Sequence, residues 1–211
     1  VRPAGVAIKG FGGTASGPGP LRKMHERIES YLDAFCKGRL ETTARVHQPD
    51  EDGVWKEVDV KVSKAYSHTR LVADIFNAIG ACVVAGNVRR SAEICLGGAK
   101  NEDFINLKNY KINPERGEIG WMSNNSVVLE PAQGYKDFTY IPDLAARIRD
   151  NGEPGMINLY NMQKFGRYGK PSPDKATLVN PCFSGETLIA TADGRGCVRI
   201  DELAKEGKDV P

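Results

Sequence analysis

The sequence predicts an α/β body over residues 1–181, followed by a different, β-rich segment over residues 182–211. Three observations predict it. Apolar residues recur at helical spacing in three long stretches. Short β-type runs alternate with those stretches, which argues for strands paired in parallel through helical crossovers. At Cys182 the alternation stops, and a strand, a turn, a second strand and a short helix follow in close succession.

The elements follow in order. "VRPAGVAIKGFGGTASGPGP" opens as a strand-like run and passes into a loop holding Gly12, Gly13, Gly17 and Gly19. Pro20 suits the first turn of a helix. Leu21, Met24, Ile28, Leu32 and Phe35 supply that helix's apolar face, and Gly38 stops it. Residues 41–66 read as a half-exposed surface hairpin. Val58, Val60 and Val62 alternate with charged residues, "PDEDG" makes the turn, and His47 is a solvated strand residue.

A second helix carries a broad apolar face of Leu71, Val72, Ile75, Phe76, Ile79, Cys82 and Val83, with Gly86 at its end. "NVRRSAEI" leads from there into a strand. Residues 102–108 suit a short helix, and "MSNNSVVLE" moves from a polar loop into a strand. "IPDLAARIRDNG" is a helix closed by Gly152. "GEPG" reads as a type II turn before the strand "MINLY". Cys36, Cys82 and Cys95 read as inert core thiols.

The composition excludes several classes. Against 29 basic residues stand 27 acidic ones, so the net charge of +2 makes no electrostatic case for nucleic acid or a membrane surface. The longest apolar run, "IGACVVAG", is too short to span a bilayer. Five scattered cysteines without a CxxC pair provide neither a disulfide framework nor a zinc site, so a reducing, cytoplasmic setting is the expectation. No metal ligands are assigned. The chain starts at Val1 and stops after "EGKDVP", and both ends read as cut from a longer polypeptide.

Several motifs carry two readings when taken singly. "GFGGTASGPGP" lacks the Lys of a Walker A loop and the spacing of a dinucleotide fingerprint, so it is a structural loop or a phosphate cradle. Arg89 and Arg90 form a solvated turn or a bidentate grip on phosphate or base edges. Ser123, Asn124 and Asn125 are a polar turn or neutral partners for sugar hydroxyls.

Together and in this order, "GFGGTASGP", "VVAGNVRRSAEI", "SNNSV", "GEPG" with a following "NL", and "NPC" are far more specific. This set resembles the class II, adenosylcobalamin-dependent ribonucleotide reductases, most closely the monomeric ribonucleoside-triphosphate reductases. The resemblance covers nearly all of residues 1–181, with the 41–66 hairpin as an insertion. It implies part of a ten-stranded α/β barrel and thiyl-radical chemistry that starts from adenosylcobalamin, whose site is expected outside this segment. It also implies a ribonucleoside triphosphate substrate, a deoxynucleotide effector and a thioredoxin-type reductant. Gly12, Gly13, Thr14 and Ser16 then match one specificity loop, and Gly86, Asn87, Val88, Arg89, Arg90 and Ser91 the other. Asn180, Ser123, Asn124 and Asn125 match substrate-contacting positions.

At Cys182 the resemblance changes. The reductase finger motif is Asn-Pro-Cys-Gly-Glu, but Asn180-Pro181-Cys182 is followed by "FSGETLIATADGRGCVRIDELA". That run resembles the opening of an intein, a Hint-type domain. It implies that Cys182 is the splicing nucleophile, attacking the Pro181 carbonyl, and that the reductase's radical cysteine comes after the intein. The Thr-x-x-His block and terminal Asn of inteins do not occur in 182–211, and His25, His47 and His68 all precede the junction. The segment alone is therefore expected neither to reduce nucleotides nor to splice. A split intein completed by another polypeptide, and a non-catalytic nucleotide-binding module, are the alternatives.

Overall fold

The computed structural model describes residues 2–8, 13–86, 91–129, 139–165, 177, 179, 186, 188–191 and 194–206. The chain divides into two compact units, Val1–Leu178 and Val179–Pro211.

In the first unit, residues 4–8 fold back on 13–15. Ala15 N donates to Val6 O, Gly5 N to Ala15 O, and Ile8 N to Gly13 O at 3.0 Å. Helix α1 (Gly19–Lys37) starts with Pro20 in its first turn and ends where Gly38 takes φ +67°. That left-handed cap costs glycine little, and its N–H closes on the Ala34 and Phe35 carbonyls. Strands β1 (Arg39–Pro49) and β2 (Trp55–Ala65) form the expected antiparallel hairpin, with Arg39 opposite Ala65 and Pro49 opposite Trp55. Leu40, Ala44 and Val62 bury its base. His47 is exposed beside Glu57, as expected of a solvated strand residue.

Helix α2 (His68–Val84) is capped by the Ser67 hydroxyl, which accepts from Arg70 N. Then come β3 (Glu93–Gly98), the short α3 (Glu102–Ile105) and two 3₁₀ turns at Pro114–Arg116 and Gly120–Met122. Strand β4 (Ser123–Val128), α4 (Ile141–Asn151), β5 (Gly155–Ile157) and α5 (Leu159–Phe165) complete the unit. The sheet order is β3-β4-β5, all parallel, as the alternation of elements predicted. One face of this sheet packs on Ala73, Phe104, Leu107 and Leu144, with Val127 at the centre. The described residues form three strands of parallel sheet and no closed barrel.

The second unit holds β6 (Leu188–Thr191), β7 (Gly196–Arg199) and α6 (Ile200–Glu206). The two strands pair antiparallel around Gly194 at φ +87°, matching the predicted strand–turn–strand–helix run.

Several sequence expectations are corrected. On α1, Leu32 and Phe35 are exposed, and Tyr31 and Ala34 turn inward instead. On α2, Val72, Phe76, Ile79 and Val83 are exposed, and the buried side is Arg70, Leu71, Ala73, Asp74, Asn77, Ala78 and Gly80. Small residues on that side permit close approach, and its polar groups find partners there. Val72 and Phe76 line a cavity of about 500 Å³ between α2 and β3. Cys36 is exposed, while Cys82 and Cys95 are only partly buried. The helix expected over 102–108 ends at Ile105. Gly155 is not left-handed, so "GEPG" is no type II turn: Gly155 already pairs with Ser126 as the first residue of β5. "MINLY" leaves the strand after Ile157, because Asn158 Oδ1 accepts from Asn161 N and starts α5.

Candidate functional site

Parallel pairing in register sets the strand starts side by side. Glu93 lies opposite Ser123, and Cys95 opposite Asn125. "SNNS" is therefore the first part of β4 and not a loop. Alternation then sorts its residues. Ser123, Asn125 and Val127 are buried on the helix-covered face, where the Ser123 hydroxyl donates to Asn125 Oδ1 at 2.8 Å. Asn124 is exposed on the opposite face. Of the four predicted substrate-contacting residues, the structure presents Asn124 and seats Ser123 and Asn125 against each other, while Asn180 lies outside the described residues.

Two further motifs converge on this end of the sheet. Glu153 of "GEPG" accepts the Asn125 backbone N–H on one carboxylate oxygen and Lys108 Nζ on the other, at 3.1 and 2.8 Å. Beside it, a Cβ on Gly155 would stand 2.7 Å from the Ser126 hydroxyl, so only glycine fits there without displacement. The run after α2 enters the same region. Ser91 is partly buried two residues before β3.

The two predicted specificity loops meet where both are described. Gly86 has φ +92°, and a Cβ there would come within 3.1 Å of Ser16 Cβ. Gly13, Thr14 and Ser16 are exposed, and Ser16 is the one of them against the Gly86 turn. Gly12, Asn87, Val88, Arg89, Arg90, Asn180 and Cys182 lie outside the described residues.

Sequence reasoning missed a buried polar network behind this surface. Asp74 accepts Arg116 Nε on one oxygen at 2.6 Å, and Tyr66 Oη and Arg70 Nη2 on the other at 2.8 and 3.2 Å. Arg116 also gives Nη1 to the Leu107 carbonyl and Nη2 to Asn77 Oδ1, at 2.6 and 2.7 Å. Asn77 Nδ2 donates to Glu93 Oε2 at 2.8 Å. Burial pushes the Glu93 carboxyl up from its ordinary range, against the lowering effect of the Asn77 bond. It likewise raises the Cys95 thiol, which suits neither a nucleophile nor a metal ligand. The signal was present: Arg70, Asp74 and Asn77 repeat at helical spacing inside an otherwise apolar helix.

Chemically, Asn124 faces out at the strand starts, and its neutral amide can both donate to and accept from a sugar hydroxyl or base edge. Behind it Arg70 and Arg116 pair with Asp74, and Arg70 also with Glu115, while Glu93 accepts from the neutral Asn77 amide. Among the described residues no helix is long and apolar enough to cross a membrane.

Comparison with known proteins bears on the same segment. The chain is 40% identical over 186 residues to the adenosylcobalamin-dependent ribonucleoside-triphosphate reductase of Euglena gracilis, covering 87% of this chain and 21% of that protein. It is 39% identical over 203 residues to the enzyme of that name from Lactobacillus leichmannii, covering 93% and 22%. A probable adenosylcobalamin-dependent ribonucleoside-triphosphate reductase of Dictyostelium discoideum is 37% identical over 187 residues. No family model and no solved structure matches. Along most of its length, then, this chain is similar to adenosylcobalamin-dependent ribonucleoside-triphosphate reductases, and it spans about a fifth of their length.

Proposed function

We propose that this chain is the nucleotide-recognition segment of an adenosylcobalamin-dependent ribonucleoside-triphosphate reductase, and that an intein begins at Cys182. The observation that carries the first part is the identity of 37–40% with reductases of that name along 87–93% of the chain. The apposition of Gly86 and Ser16 supports it, because it brings the two specificity motifs together.

In this reading the three parallel strands are part of the larger α/β barrel, and the strand starts face a ribonucleoside triphosphate. Asn124 contacts the substrate, with Ser123, Asn125 and Glu153 holding its strand in place. Arg89 and Arg90 bind phosphate or base edges, and Asn180 orients the ribose. A deoxynucleotide effector acts through Gly12, Gly13, Thr14, Ser16 and the run from Gly86 to Ser91. Adenosylcobalamin supplies the radical when bound. The chain spans about a fifth of the length of the reductases it resembles, and the cofactor's site is placed in the rest of the protein. The reductant, a thioredoxin-type protein, acts there too, in a cytoplasmic setting.

The intein reading rests on "CFSGETLI" standing where the finger motif needs Cys-Gly-Glu. It is supported by the locally closed β6–β7–α6 run and by the separation of Val179–Pro211 as its own unit. The Cys182 thiolate attacks the Pro181 carbonyl and replaces its amide by a thioester, with the freed amine taking up a proton. Expression of the full-length gene tests both parts. Mass spectrometry of the mature protein should show Pro181 joined directly to a downstream Cys-Gly-Glu, and Cys182→Ala should leave unspliced precursor. A mature, active enzyme that still contains residues 182–211 would remove the intein. A full-length product with no cobalamin-dependent reduction of any ribonucleotide would remove the reductase.

A further inference from the structure

A continuous line of hydrogen bonds runs from the hairpin to the first residue of β3. Lys64 and Arg70 share Asn113 and Glu115, and Arg70 also bonds Asp74. Asp74 bonds Arg116, Arg116 bonds Asn77, and Asn77 bonds Glu93. Asn77 has no exposed surface and spends both ends of its amide in this line. Glu93 lies three residues beyond Arg90, so "GNVRRSA" ends directly on it.

The seat of the Glu93 carboxylate is built into α2. A Cβ on Gly80 would fall 2.1 Å from Glu93 Oε1, so the carboxylate fills the space that any side chain at position 80 would need. Apolar contacts alone let a strand end slide against a helix, because they have no direction. Hydrogen bonds have direction, and a satisfied buried network holds one geometry. The start of β3 is thus fixed relative to α2 by an oriented bond between two named groups.

We infer that Glu93 is a positioning residue for nucleotide choice. Its bond to Asn77 anchors the C-terminal end of the 86–92 connection and lets effector occupancy alter base preference. The inference rests on the reading of that connection as a specificity loop. Glu93 does not touch the reacting atoms; it acts through the connection that ends on it.

The test uses the full-length, spliced protein with Glu93→Ala, Glu93→Gln and Asn77→Ala. For each, kcat and KM are measured for the four ribonucleoside triphosphates, with and without deoxynucleotide, together with Tm. Glu93→Ala and Asn77→Ala should shrink the effector-induced change in KM ratios by about fivefold or more, the lower end of typical coupling between sites. The kcat of the best substrate should hold. Glu93→Gln should retain the effector response, because its amide oxygen still accepts from Asn77. Wild-type KM ratios in Glu93→Ala would overturn the inference, and so would a Glu93→Gln protein as deranged as Glu93→Ala. If Asn77→Ala fails to fold, the two variants of the half-buried Glu93 decide. A wild-type protein that reduces no nucleotide brings down the underlying reading, whereas an active wild type with an unaltered Glu93→Ala brings down this inference alone.

Discussion

Arg116 Nε lies 2.6 Å from Asp74 Oδ1, and both side chains are almost wholly excluded from solvent. Breaking such a pair from one side strands the other charge. Asp74→Ala should cost about 3–5 kcal/mol, more than any surface ion pair here. Replacing both partners by apolar residues should cost much less than the two single changes summed. Urea denaturation of the four proteins of that cycle checks this, and additive effects would contradict it.

Gly97 and Gly98 are neighbours on β3 with opposite tolerance. A Cβ on Gly97 would meet the Phe104 ring at 2.4–2.5 Å, while one on Gly98 meets nothing within 4 Å. Gly97→Ala should destabilise by about 1–3 kcal/mol, the usual cost of overpacking. Gly98→Ala should be close to neutral. The pair of Tm values is its own control.

Tyr31 and Tyr66 stack at a centroid distance of 6.2 Å, and Tyr66 donates to Asp74. Burial, then the Asp74 charge, pushes the Tyr31 hydroxyl up to about 12 and raises Tyr66 further. A raised pKa means that both phenols stabilise the fold while protonated. Their contribution is complete below the unfolded value of about 10 and is lost as pH rises through the folded values. In an alkaline absorbance titration of the folded protein, these two should ionise last. Tyr31→Phe should remove one late step, and an unchanged curve would refute the assignment.

Asn124 and Ser123 are adjacent but face opposite ways. Asn124→Ala should raise KM or lower turnover in the full-length enzyme without moving Tm. Ser123→Ala leaves Asn125 Oδ1 without its buried donor and should cost about 1–3 kcal/mol of stability. Reversal of that pattern, read by kinetics and melting together, would exchange the two roles.

Arg89→Ala and Arg90→Ala should disturb substrate choice more than stability. Loss of a charge-assisted hydrogen bond is worth about 1.5–3 kcal/mol, roughly ten- to a hundredfold in affinity. Assays of all four nucleotides with and without effector decide it; unchanged ratios in both variants would dismiss the role.

What the sequence determined by itself was local. Helical spacing, the Gly38 and Gly152 caps, the "PDEDG" turn and the 41–66 hairpin are all written in near neighbours, and short-range sterics and hydrogen bonds suffice to read them. The order of the reductase-like motifs was legible for the same reason. Tertiary structure alone decided which side of α2 is buried. Periodicity locates an apolar stripe on that helix, but Arg70, Asp74 and Asn77 enter the interior because Asn113, Glu115 and Arg116, some 40 residues away, supply hydrogen-bond partners there. It also decided that Ser123 and Asn125 turn inward while Asn124 faces out, because the face a strand residue takes depends on which neighbours cover the sheet. A polar group's fate follows from the partner that desolvation forces it to find, and that partner comes from distant chain.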